Sequence, residues 1–380
     1  MIKSQRGFRD KTRHRRIGTI RVLVVAAAAS LGLAACSNGS SASSNGDSVA
    51  FVSTDTSVTP SGVTTKDLSK VKIRLLNQIA GAPFYKRVET GMSEAAANLG
   101  ITDVTMTGPS AVSSSQQVQI VNTWITQGVD VIAVAASDAA AMTPSINRAV
   151  KKGILVLTWD ADAPDSDRAL FVNYWDPVSG PQSVWDSLLK RMPADTEGKV
   201  AISTPSLSSK THMGWVNAIK DYAKTKSPNI EFLPDYVSGG DQPAAAAKAK
   251  QILQANKDVV AMLSVDAGGT PANAQAVKEL GLQDKVQVGG LSTPSQMKPW
   301  VDSGQVPEFV LWDPARAGYL VVELAAKLLK GETVKTGSYP VAPGTDFAVV
   351  VKKALFGAGP QAISGEAILF DKSNMGDYAF

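Results

Sequence analysis

The sequence predicts an α/β protein with two doubly wound parallel-sheet lobes joined by a hinge. Strand-like apolar runs alternate with longer helix-like stretches from residue 71 onward, and this order occurs twice along the chain. Continuously apolar strands between helices are typical of a parallel sheet that is covered on both faces. A body of about 315 residues is also large for a single core and suits two lobes.

The first half of this body holds four strand-like runs and three helix-like stretches. The strands are expected at residues 71–78, 103–108, 129–136 and 154–159, and the helices at residues 85–100, 115–128 and 143–153. A glycine closes the first helix, as is common at helix C-termini. We assign residues 69–173 and 313–331 to an N-terminal lobe.

The second half repeats the pattern. Its strands are expected at residues 198–204, 230–236, 257–266 and 286–292, and its helices at residues 213–225, 243–256 and 272–281. Residues 127–160 and 256–292 resemble each other: each has a strand ending in an aspartate (Asp138 or Asp266), a small-residue turn, a helix containing Ala-Val-Lys and another strand. We therefore expect a similar C-terminal lobe, residues 174–312 and 332–380, and a cleft between the lobes.

The N-terminus has the features of a secretory signal. Residues 1–21 carry eight basic side chains and one acidic one, and an apolar run follows at residues 22–36. A charged region, a short apolar core and small residues at a cleavage site make up such a signal. The end of the run, Leu33-Ala34-Ala35-Cys36, resembles the bacterial lipobox, in which the cysteine becomes the lipidated first residue. We expect a signal peptide at residues 1–35 and lipidation of Cys36, with ordinary secretion and an incidental cysteine as the alternative.

The next segment, residues 36–68, is rich in Ser, Gly and Thr. It has too few large apolar side chains to order itself, so we expect a flexible tether. The tether would let the body stand off a membrane. Together with the signal, it predicts an extracytoplasmic protein that is anchored to the cell membrane as a lipoprotein.

Composition excludes several chemistries. Cys36 is the only cysteine, so neither an intramolecular disulfide nor a cysteine zinc site can form. His14 lies in the signal, which leaves His212 alone and excludes a multi-histidine metal centre. Without residues 1–35, 30 basic and 33 acidic residues remain, a net charge of −3 that gives no electrostatic case for nucleic acid. We expect no metal and no cofactor.

Unusual polar side chains follow the ends of the predicted strands. They are Gln78, Asp138, Asp160, Asp162 and Asp266. In open parallel sheets, ligands bind beyond the carboxyl ends of the strands, so these side chains should converge. Residues two apart in an extended segment point the same way, so Asp160 and Asp162 could share one ligand. On this pattern alone, the pair could be a catalytic acid and base, a metal claw, a strand-end cap or the polar rim of a binding cleft.

Several motifs resemble a known family. The alternation of strands and helices, the lipobox and the Pro-Phe-Tyr at residues 83–85 resemble the periplasmic sugar-binding proteins of ABC importers, the ribose-binding type. The resemblance covers residues 71–380. Within that family, residues 158–162, 290–313 and 368–380 are similar to the subgroup of the rhamnose-binding and autoinducer-2-binding receptors. The resemblance implies a fold of the periplasmic binding protein-like type I.

The resemblance also implies roles for individual residues. Asp160 corresponds to a ligand-contacting aspartate of the autoinducer-2 receptors, and Val265 and Ala267 to positions whose backbone groups contact ligand. Two positions depart from that subgroup. Gln78 replaces a lysine, and Thr211 with His212 replaces an Asp-Gln pair ahead of the tryptophan. The loss of a cation and a carboxylate favours a sugar or polyol over autoinducer-2.

Aromatic side chains at the strand ends suit a sugar ligand, because flat rings stack on the apolar C–H faces of sugar rings. Although only 6% of the chain is aromatic, six rings flank predicted strand ends: Phe84, Tyr85, Trp159, Tyr174, Trp175 and Trp312. Of these, we expect Phe84, Tyr85, Trp175 and Trp312 to contact ligand, with core packing as the alternative. Core packing is favoured for the helical residues Trp124, Trp185 and Trp215.

The polar candidates have competing structural roles. An ionised carboxylate accepts two hydroxyl hydrogen bonds at once, so Asp160 and Asp162 suit vicinal diols. The alternative, favoured more for Asp162 than for Asp160, is that the aspartate caps the next turn. Asn173, where the chain first crosses between lobes, could bind a hydroxyl or hold the hinge. His212 could contact ligand or cap a helix.

The sequence therefore predicts a monomeric solute-binding lipoprotein, without enzymatic activity, that captures a small sugar or polyol by hinge closure. Its partners would be that ligand and an ABC permease in the membrane. The first alternative is a signal receptor for an autoinducer-2-like furanose. A less favoured alternative is a secreted glycosidase that uses Asp160 and Asp266.

Overall fold

The computed structural model describes residues 50–61, 66–239, 241–355 and 359–380. The predicted signal peptide at residues 1–35, Cys36 and the first part of the predicted tether lie outside the described residues. Among the residues that are described, no helix combines the length and the apolar character needed to cross a membrane.

Part of the predicted tether is folded. Strands β1 (Ala50–Ser53) and β2 (Ser57–Ser61) form an antiparallel hairpin. The second strand also pairs with a short strand at residues 334–335, and Val58 between them is fully buried. The prediction of a flexible tether through residue 68 is therefore wrong for residues 50–61. Ladder hydrogen bonds and one buried valine order a segment whose composition alone suggests disorder.

The first predicted set of alternating elements is present. Its strands are β3 (Lys72–Leu76), β4 (Asp103–Thr107), β5 (Val131–Val134), β6 (Leu155–Trp159) and β7 (Leu170–Asn173), and its helices are α1 (Pro83–Leu99), α2 (Ser114–Gln127) and α3 (Ala139–Lys151). The five strands are parallel, in the order β7-β6-β5-β3-β4. Every residue of β5, β6 and β7 is buried, as expected for strands that are covered on both faces.

The second set forms its own sheet. Its helices are α4 (Ser179–Leu189), α5 (Lys210–Lys226), α6 (Gln242–Ala255), α7 (Gly269–Glu279) and α8 (Pro294–Asp302), and its strands are β8 (Gly198–Thr204), β9 (Ile230–Phe232), β10 (Tyr236–Val237), β11 (Val259–Ser264), β12 (Gln287–Gly290) and β13 (Glu308–Leu311). The parallel order is β10-β8-β11-β12, and β9 also pairs with β8. A bridge between Leu291 and Val310 brings β13 alongside.

The C-terminal part of the chain returns to the first sheet before it ends at the second. Its elements are α9 (Pro314–Leu329), β14 (Val334–Lys335), β15 (Gly337–Ala342), β16 (Thr345–Lys353), β17 (Pro360–Ile363) and β18 (Ile368–Asp371). Strand β17 pairs with β7 in parallel, and β16 and β15 follow it as antiparallel strands at the edge. Strand β18 pairs with β13.

This path corrects one predicted lobe boundary. We expected residues 332–380 in the C-terminal lobe, but residues 337–363 extend the sheet of the N-terminal lobe. Fully buried β17 lies against β7, and this pairing decides the lobe to which the hairpin of β15 and β16 belongs. The chain therefore passes between the sheets at residues 174–178, 312–313 and 364–367.

Helices α1 and α9 pack with their backbones in contact. Both helices begin in the region between the two sheets. A Cβ atom on Gly318 would lie 2.0 Å from the carbonyl oxygen of Val88, and one on Gly91 would lie 1.9 Å from that of Ala315. Only glycine permits so close an approach. Arg87 on α1 also donates two hydrogen bonds, of 3.0 and 2.9 Å, to the carboxylate of Asp313, which caps α9. The two helix starts are thereby held together.

Candidate functional site

A cavity of about 310 Å³ lies between the carboxyl ends of the two sets of strands. The first set contributes residues that follow β3 and β6, and the second contributes residues that follow β8, β11, β12 and β13. Nine of the twelve predicted ligand-binding residues line it: Gln78, Phe84, Tyr85, Asp160, His212, Val265, Asp266, Ala267 and Trp312. Most of the residues that we expected to converge because they follow strand ends therefore lie around one cavity.

Asp160 is held in an unusual backbone conformation at the end of β6. It is the one non-glycine residue with a positive φ, 59°, among the described residues. The amide of Ala161 donates back to the carbonyl of Trp159, which makes a tight turn around Asp160. Such a conformation is unfavourable for a residue with a side chain and is typically found at functional sites. It places a carboxylate that is only 5% exposed at the wall of the cavity.

The carboxylate of Asp160 has one hydrogen-bond partner described in the protein. The hydroxyl of Tyr85 donates to its Oδ2 atom at 2.8 Å. Burial raises the pKa of Asp160 to about 7, the hydrogen bond from Tyr85 acts in the opposite direction, and the charge of Asp266 raises the pKa further. The protein itself therefore offers the carboxylate of Asp160 less solvation than its charge requires.

Asp266 faces the same cavity from the second sheet. It follows β11, and its carboxylate accepts a 2.6 Å hydrogen bond from the hydroxyl of Ser238 and a 3.3 Å bond from the amide of Gly268. Burial raises its pKa as well, and these hydrogen bonds oppose the rise. Two acidic side chains, one from each sheet, thus meet across one enclosed space.

Aromatic rings form an apolar wall beside the carboxylates. Phe84 lies 6.1 Å from Trp312 between ring centroids and 5.1 Å from Tyr85, edge to face in both cases. Trp312 is backed by Tyr174, which stacks on it at 5.0 Å. Trp215, which we assigned to core packing, is almost fully buried but also borders the cavity, 5.8 Å from Trp312. The wall offers flat surfaces of the kind that bind sugar rings.

His212 is neutral at physiological pH. Burial lowers its pKa to about 3. Its Nδ1 atom lies 2.7 Å from the hydroxyl oxygen of Ser209, and its ring packs edge-on against Trp215. Ser209, and not His212, is the N-cap of α5, because its side chain accepts from the amide of His212. His212 lines the cavity as a neutral hydrogen-bonding group.

Asp162 does not line the cavity. Its carboxylate accepts hydrogen bonds from the guanidinium of Arg168 and from Thr158, and the ion pair is buried. Arg168 in turn donates to the carbonyl of Pro360 on β17, at 3.2 Å. The expectation that Asp160 and Asp162 face one ligand is wrong because the positive φ of Asp160 turns the chain and breaks the alternation of an extended segment.

Three further strand-end residues also lie away from the cavity. Trp175 packs behind it, 4.9 Å from Trp312 and 5.1 Å from Trp215. Asn173 donates to the side chain of Gln361 at 3.1 Å, and its carbonyl accepts from the amide of Ser364, so it joins two of the crossings between sheets. Asp138 caps α3 by accepting from the amide of Ala141. The amide nitrogen of Asn173 and the carboxylate of Asp138 are thus used within the fold.

Some lining residues were not predicted. They include Val112, Pro205, Gln242, Gly268 and Gln296. Gln242 and Gln296 lie in the first turns of α6 and α8, where helix starts face the carboxyl ends of the strands. A glutamine at such a helix start could therefore have been predicted from the sequence as a candidate lining residue, although many surface glutamines have the same position.

No lysine or arginine is among the described lining residues. The described part of the chain also holds no cluster of three or more acidic, histidine or cysteine side chains suited to a metal.

Two similar α/β halves with a ligand-sized cavity between their strand ends are typical of a binding protein. The chain belongs to the family described as the periplasmic binding protein domain, which matches residues 73–333. Membership confirms the predicted periplasmic binding protein-like type I fold and implies an extracytoplasmic location. It also agrees with the predicted role in binding.

Curated relatives of this chain are sugar receptors. The chain is 26% identical over 261 residues to the D-ribose/D-allose-binding protein of Pseudomonas aeruginosa, which covers 67% of this chain and 77% of the relative. It is 23% identical over 295 residues to the ribose import binding protein RbsB of Salmonella typhimurium, covering 77% and 94% of the two chains. These relatives bind or import sugars, which confirms the prediction that the chain is not an enzyme.

Solved structures show the same fold. LsrB from Clostridium saccharobutylicum, in complex with AI-2, superposes with a TM-score of 0.75 at 25% identity, over 82% of this chain and all of that one. A solute-binding protein of an ABC transporter from Clostridium phytofermentas, with bound L-rhamnose, gives a TM-score of 0.73 at 23% identity, over 81% and 98%. The predicted resemblance to the rhamnose and autoinducer-2 receptors is thus confirmed at the level of the fold.

Proposed function

We propose that this protein is the extracytoplasmic solute-binding component of an ABC importer and captures a small sugar or polyol. The observation that carries the proposal is the pair of carboxylates, Asp160 and Asp266, that face one cavity from different sheets. Hydroxyl groups that donate to both carboxylates would replace the solvation that each has lost. The cavity volume, about 310 Å³, is at the small end for ligand sites and suits a monosaccharide.

Hinge closure is the proposed mechanism. A ligand that bonds to both sides stabilises only the conformation in which the two sides are close, so binding shifts the population toward the closed form. The chain already has direct contacts that favour this form. The amide of Asp162, beside the first sheet, donates to the hydroxyl of Thr211 on α5 at 2.9 Å, and Lys210 pairs with Asp165 at 2.6 Å. A ligand adds its own bonds to these contacts and shifts the equilibrium further toward the closed form.

The membrane anchor and the permease partner belong to the same proposal. The sequence Leu33-Ala34-Ala35-Cys36 and the basic, apolar leader ahead of it support lipidation at Cys36. An anchored receptor stays close to a permease in the same membrane, and a monomer is sufficient for this role. Mass spectrometry of the protein from membranes would detect the lipid on Cys36, and an unmodified cysteine in a secreted chain would contradict the anchor.

A receptor for an autoinducer-2-like furanose is the second candidate. The likeness to LsrB in complex with AI-2 favours it. The cavity itself favours other ligands, since Gln78 and His212 provide neutral groups and no described lining residue is a lysine or arginine. Titration of AI-2 beside the sugar panel separates the two candidates.

The test is a thermal-shift screen of the purified protein against sugars and polyols, both neutral and amine-bearing, with AI-2 included. A ligand at 100 times its Kd stabilises the folded state by about 2.7 kcal/mol, which raises the Tm by several degrees.

The affinity of each ligand found in the screen is then measured by calorimetry with Asp160→Asn, Asp266→Asn and Asp138→Asn. The first two variants should lose at least tenfold in affinity, and Asp138→Asn, at a strand end outside the cavity, should bind normally. No hit in the panel, or equal losses in all three variants, would contradict the proposal.

A further inference from the structure

One carboxylate in the cavity differs from the other buried carboxylates of the chain. Four carboxylates are buried among the described residues: Asp160, Asp162, Glu308 and Glu323. Three of them have a cationic partner, in the pairs Asp162 with Arg168, Glu308 with Lys190 and Glu323 with Lys327. Asp160 is held only by the neutral hydroxyl of Tyr85. Because buried charges in proteins are normally paired, the fold leaves a place for a positive charge beside Asp160.

The second acidic side chain strengthens this requirement. Asp266 is bound by a hydroxyl and by a backbone amide, which are also neutral donors. Its charge disfavours ionisation of Asp160. The described lining residues include no lysine or arginine that could offset either charge, and His212 is kept neutral by burial. Hydroxyl groups of a ligand can donate hydrogen bonds to both carboxylates, and a cation also offsets the repulsion between them when both are ionised.

The aromatic wall suits a cation as well as a sugar face. Phe84, Tyr85, Trp215 and Trp312 all border the cavity. The face of an aromatic ring attracts a cation, and proteins use groups of aromatic rings to bind ammonium ligands. The two carboxylates and the rings that line the same cavity therefore provide both kinds of contact that a protonated amine uses.

We infer that the ligand of this cavity is a sugar or polyol that carries a protonated amino group, with the ammonium placed at Asp160 and Asp266. The inference rests on the proposed function and narrows its ligand class to amino sugars and amino polyols. The remaining hydroxyls of such a ligand meet neutral groups, namely His212, Gln78, Gln242 and Gln296. Acidic sugars and sugar phosphates are excluded by the same charges.

Matched pairs test the inference directly. The probes are D-glucosamine with D-glucose, D-galactosamine with D-galactose and D-mannosamine with D-mannose, each titrated by calorimetry into the full protein. Within each pair, the ring and its stereochemistry are constant, and the one difference is that an ammonium group replaces the hydroxyl group at C2. The amine of at least one pair should bind tenfold or more tightly than its neutral partner. N-acetyl-D-glucosamine, which is uncharged, should lose that advantage.

Variants and pH identify the source of the preference. Asp160→Asn should abolish the difference within a pair, whereas Asp138→Asn should keep it. The affinity of the amine should fall as the pH drops below about 7, where Asp160 gains a proton, and fall again above the pKa of the ligand amine. The titratable groups that interact with Asp160 are Tyr85, Tyr174 and Asp266. Burial raises the pKa of both tyrosines and lowers that of His212, so none of these three side chains titrates in this range. A neutral sugar would lack the second decline.

The outcomes separate this inference from the proposed function. If neutral sugars bind as tightly as their amines, the ligand carries no required charge and the inference is wrong, while the proposed function stands. If amines bind preferentially in Asp160→Asn as well, the ammonium lies elsewhere and the inference is again wrong. If no member of any pair and no compound of the larger panel binds, both proposals are wrong.

Discussion

The hydroxyl of Tyr85 on α1 donates a 2.8 Å hydrogen bond to Asp160, whose backbone adopts a positive φ at the end of β6. Tyr85 also packs edge to face with Phe84 and with Trp159. A residue of the first helix therefore orients the carboxylate that follows β6, the third strand after that helix. Tyr85 supports Asp160 and borders the ligand space at the same time.

Removal of this hydroxyl should weaken ligand binding without loss of the fold. Tyr85→Phe keeps the ring contacts and deletes the donor to Asp160. Because a hydrogen bond to a charged group contributes about 1.5–3 kcal/mol, we expect affinity to fall roughly 10- to 100-fold, and the pKa of Asp160 to rise further. Calorimetry at pH 8 measures the affinity, and the pH at which affinity declines reports the pKa.

The chain contains a matched control for this substitution. The hydroxyl of Tyr222 also donates to an aspartate, Asp186, at 2.9 Å, but on the surface. Tyr222→Phe should leave binding unchanged. Equal affinities of Tyr85→Phe and the native protein would show that Asp160 needs no support from Tyr85.

Trp312 should report ligand binding through its fluorescence. It borders the cavity, is stacked on Tyr174 and lies at a crossing between the two sheets. Trp312→Phe keeps an aromatic ring but removes much of the contact area, so we expect about a tenfold loss of affinity, or ~1.4 kcal/mol. The ligand-induced change in tryptophan fluorescence should shrink by at least half.

The control is Trp300→Phe, on α8 outside the cavity lining, which should retain both the affinity and the fluorescence change of the native protein. An undiminished fluorescence change in Trp312→Phe would contradict the assignment of Trp312 to the ligand site.

Local pattern was sufficient to predict the alternating elements and most of the cavity wall. Periodicity and glycine positions are properties of short segments, and parallel strands must bring their carboxyl ends to one edge. Residues after β3, β6 and β11 were therefore found by position in the chain. The same reasoning could not separate Asp266, which faces the cavity, from Asp138, which caps a helix, because both follow a strand in similar sequences.

The failures of prediction have long-range causes. The turn at Asp160 depends on its contact with Tyr85, 75 residues earlier, and on the ion pair of Asp162, and it reverses the expected direction of the second carboxylate. The hairpin of β15 and β16 joins the first sheet through pairing of β17 with β7, which are 190 residues apart along the chain at Gln361 and Phe171. Composition suggested a tether at residues 50–61, where pairing with β14 creates order.

Direct contacts between the two halves should tune the closed form. The hydroxyl of Thr211 accepts from the amide of Asp162, and Thr211 is buried. In Thr211→Val the amide would be buried without a partner when the cleft is closed and hydrated when it is open. An unpaired buried donor costs about 1–3 kcal/mol, so affinity should fall 5- to 100-fold. Small-angle scattering of the ligand-free variant should show a larger radius of gyration than the native protein.

The control for Thr211→Val is Thr225→Val on the exposed end of α5, where the hydroxyl donates to the carbonyl of Tyr222. This variant should match the native protein in affinity and in scattering. If Thr211→Val also behaves as the native protein, direct contacts between the halves play no part in closure and the ligand alone determines it.

Asp160 should make the ligand-free protein less stable as the pH rises. Its pKa is 3.8 in the unfolded chain and about 7 in the folded one, so the folded state binds the proton more tightly. This stabilisation is complete below pH 3.8 and is lost as the pH rises through 7, by ~1.4 kcal/mol for each pH unit between the two values. The pKa of Asp266 is raised too, and its contribution has the same sign.

Asp160→Asn removes this titration and isolates it from all other carboxylates. Urea unfolding of the ligand-free native protein and of the variant should show that the native protein loses about 3 kcal/mol relative to the variant between pH 5 and pH 8. The variant should then be the more stable of the two at pH 8, although it binds ligand poorly, because a buried unpaired charge has been removed. Asp138→Asn serves as the control and should follow the native curve. Parallel pH dependences of the native protein and Asp160→Asn would mean that water solvates Asp160 in the ligand-free protein.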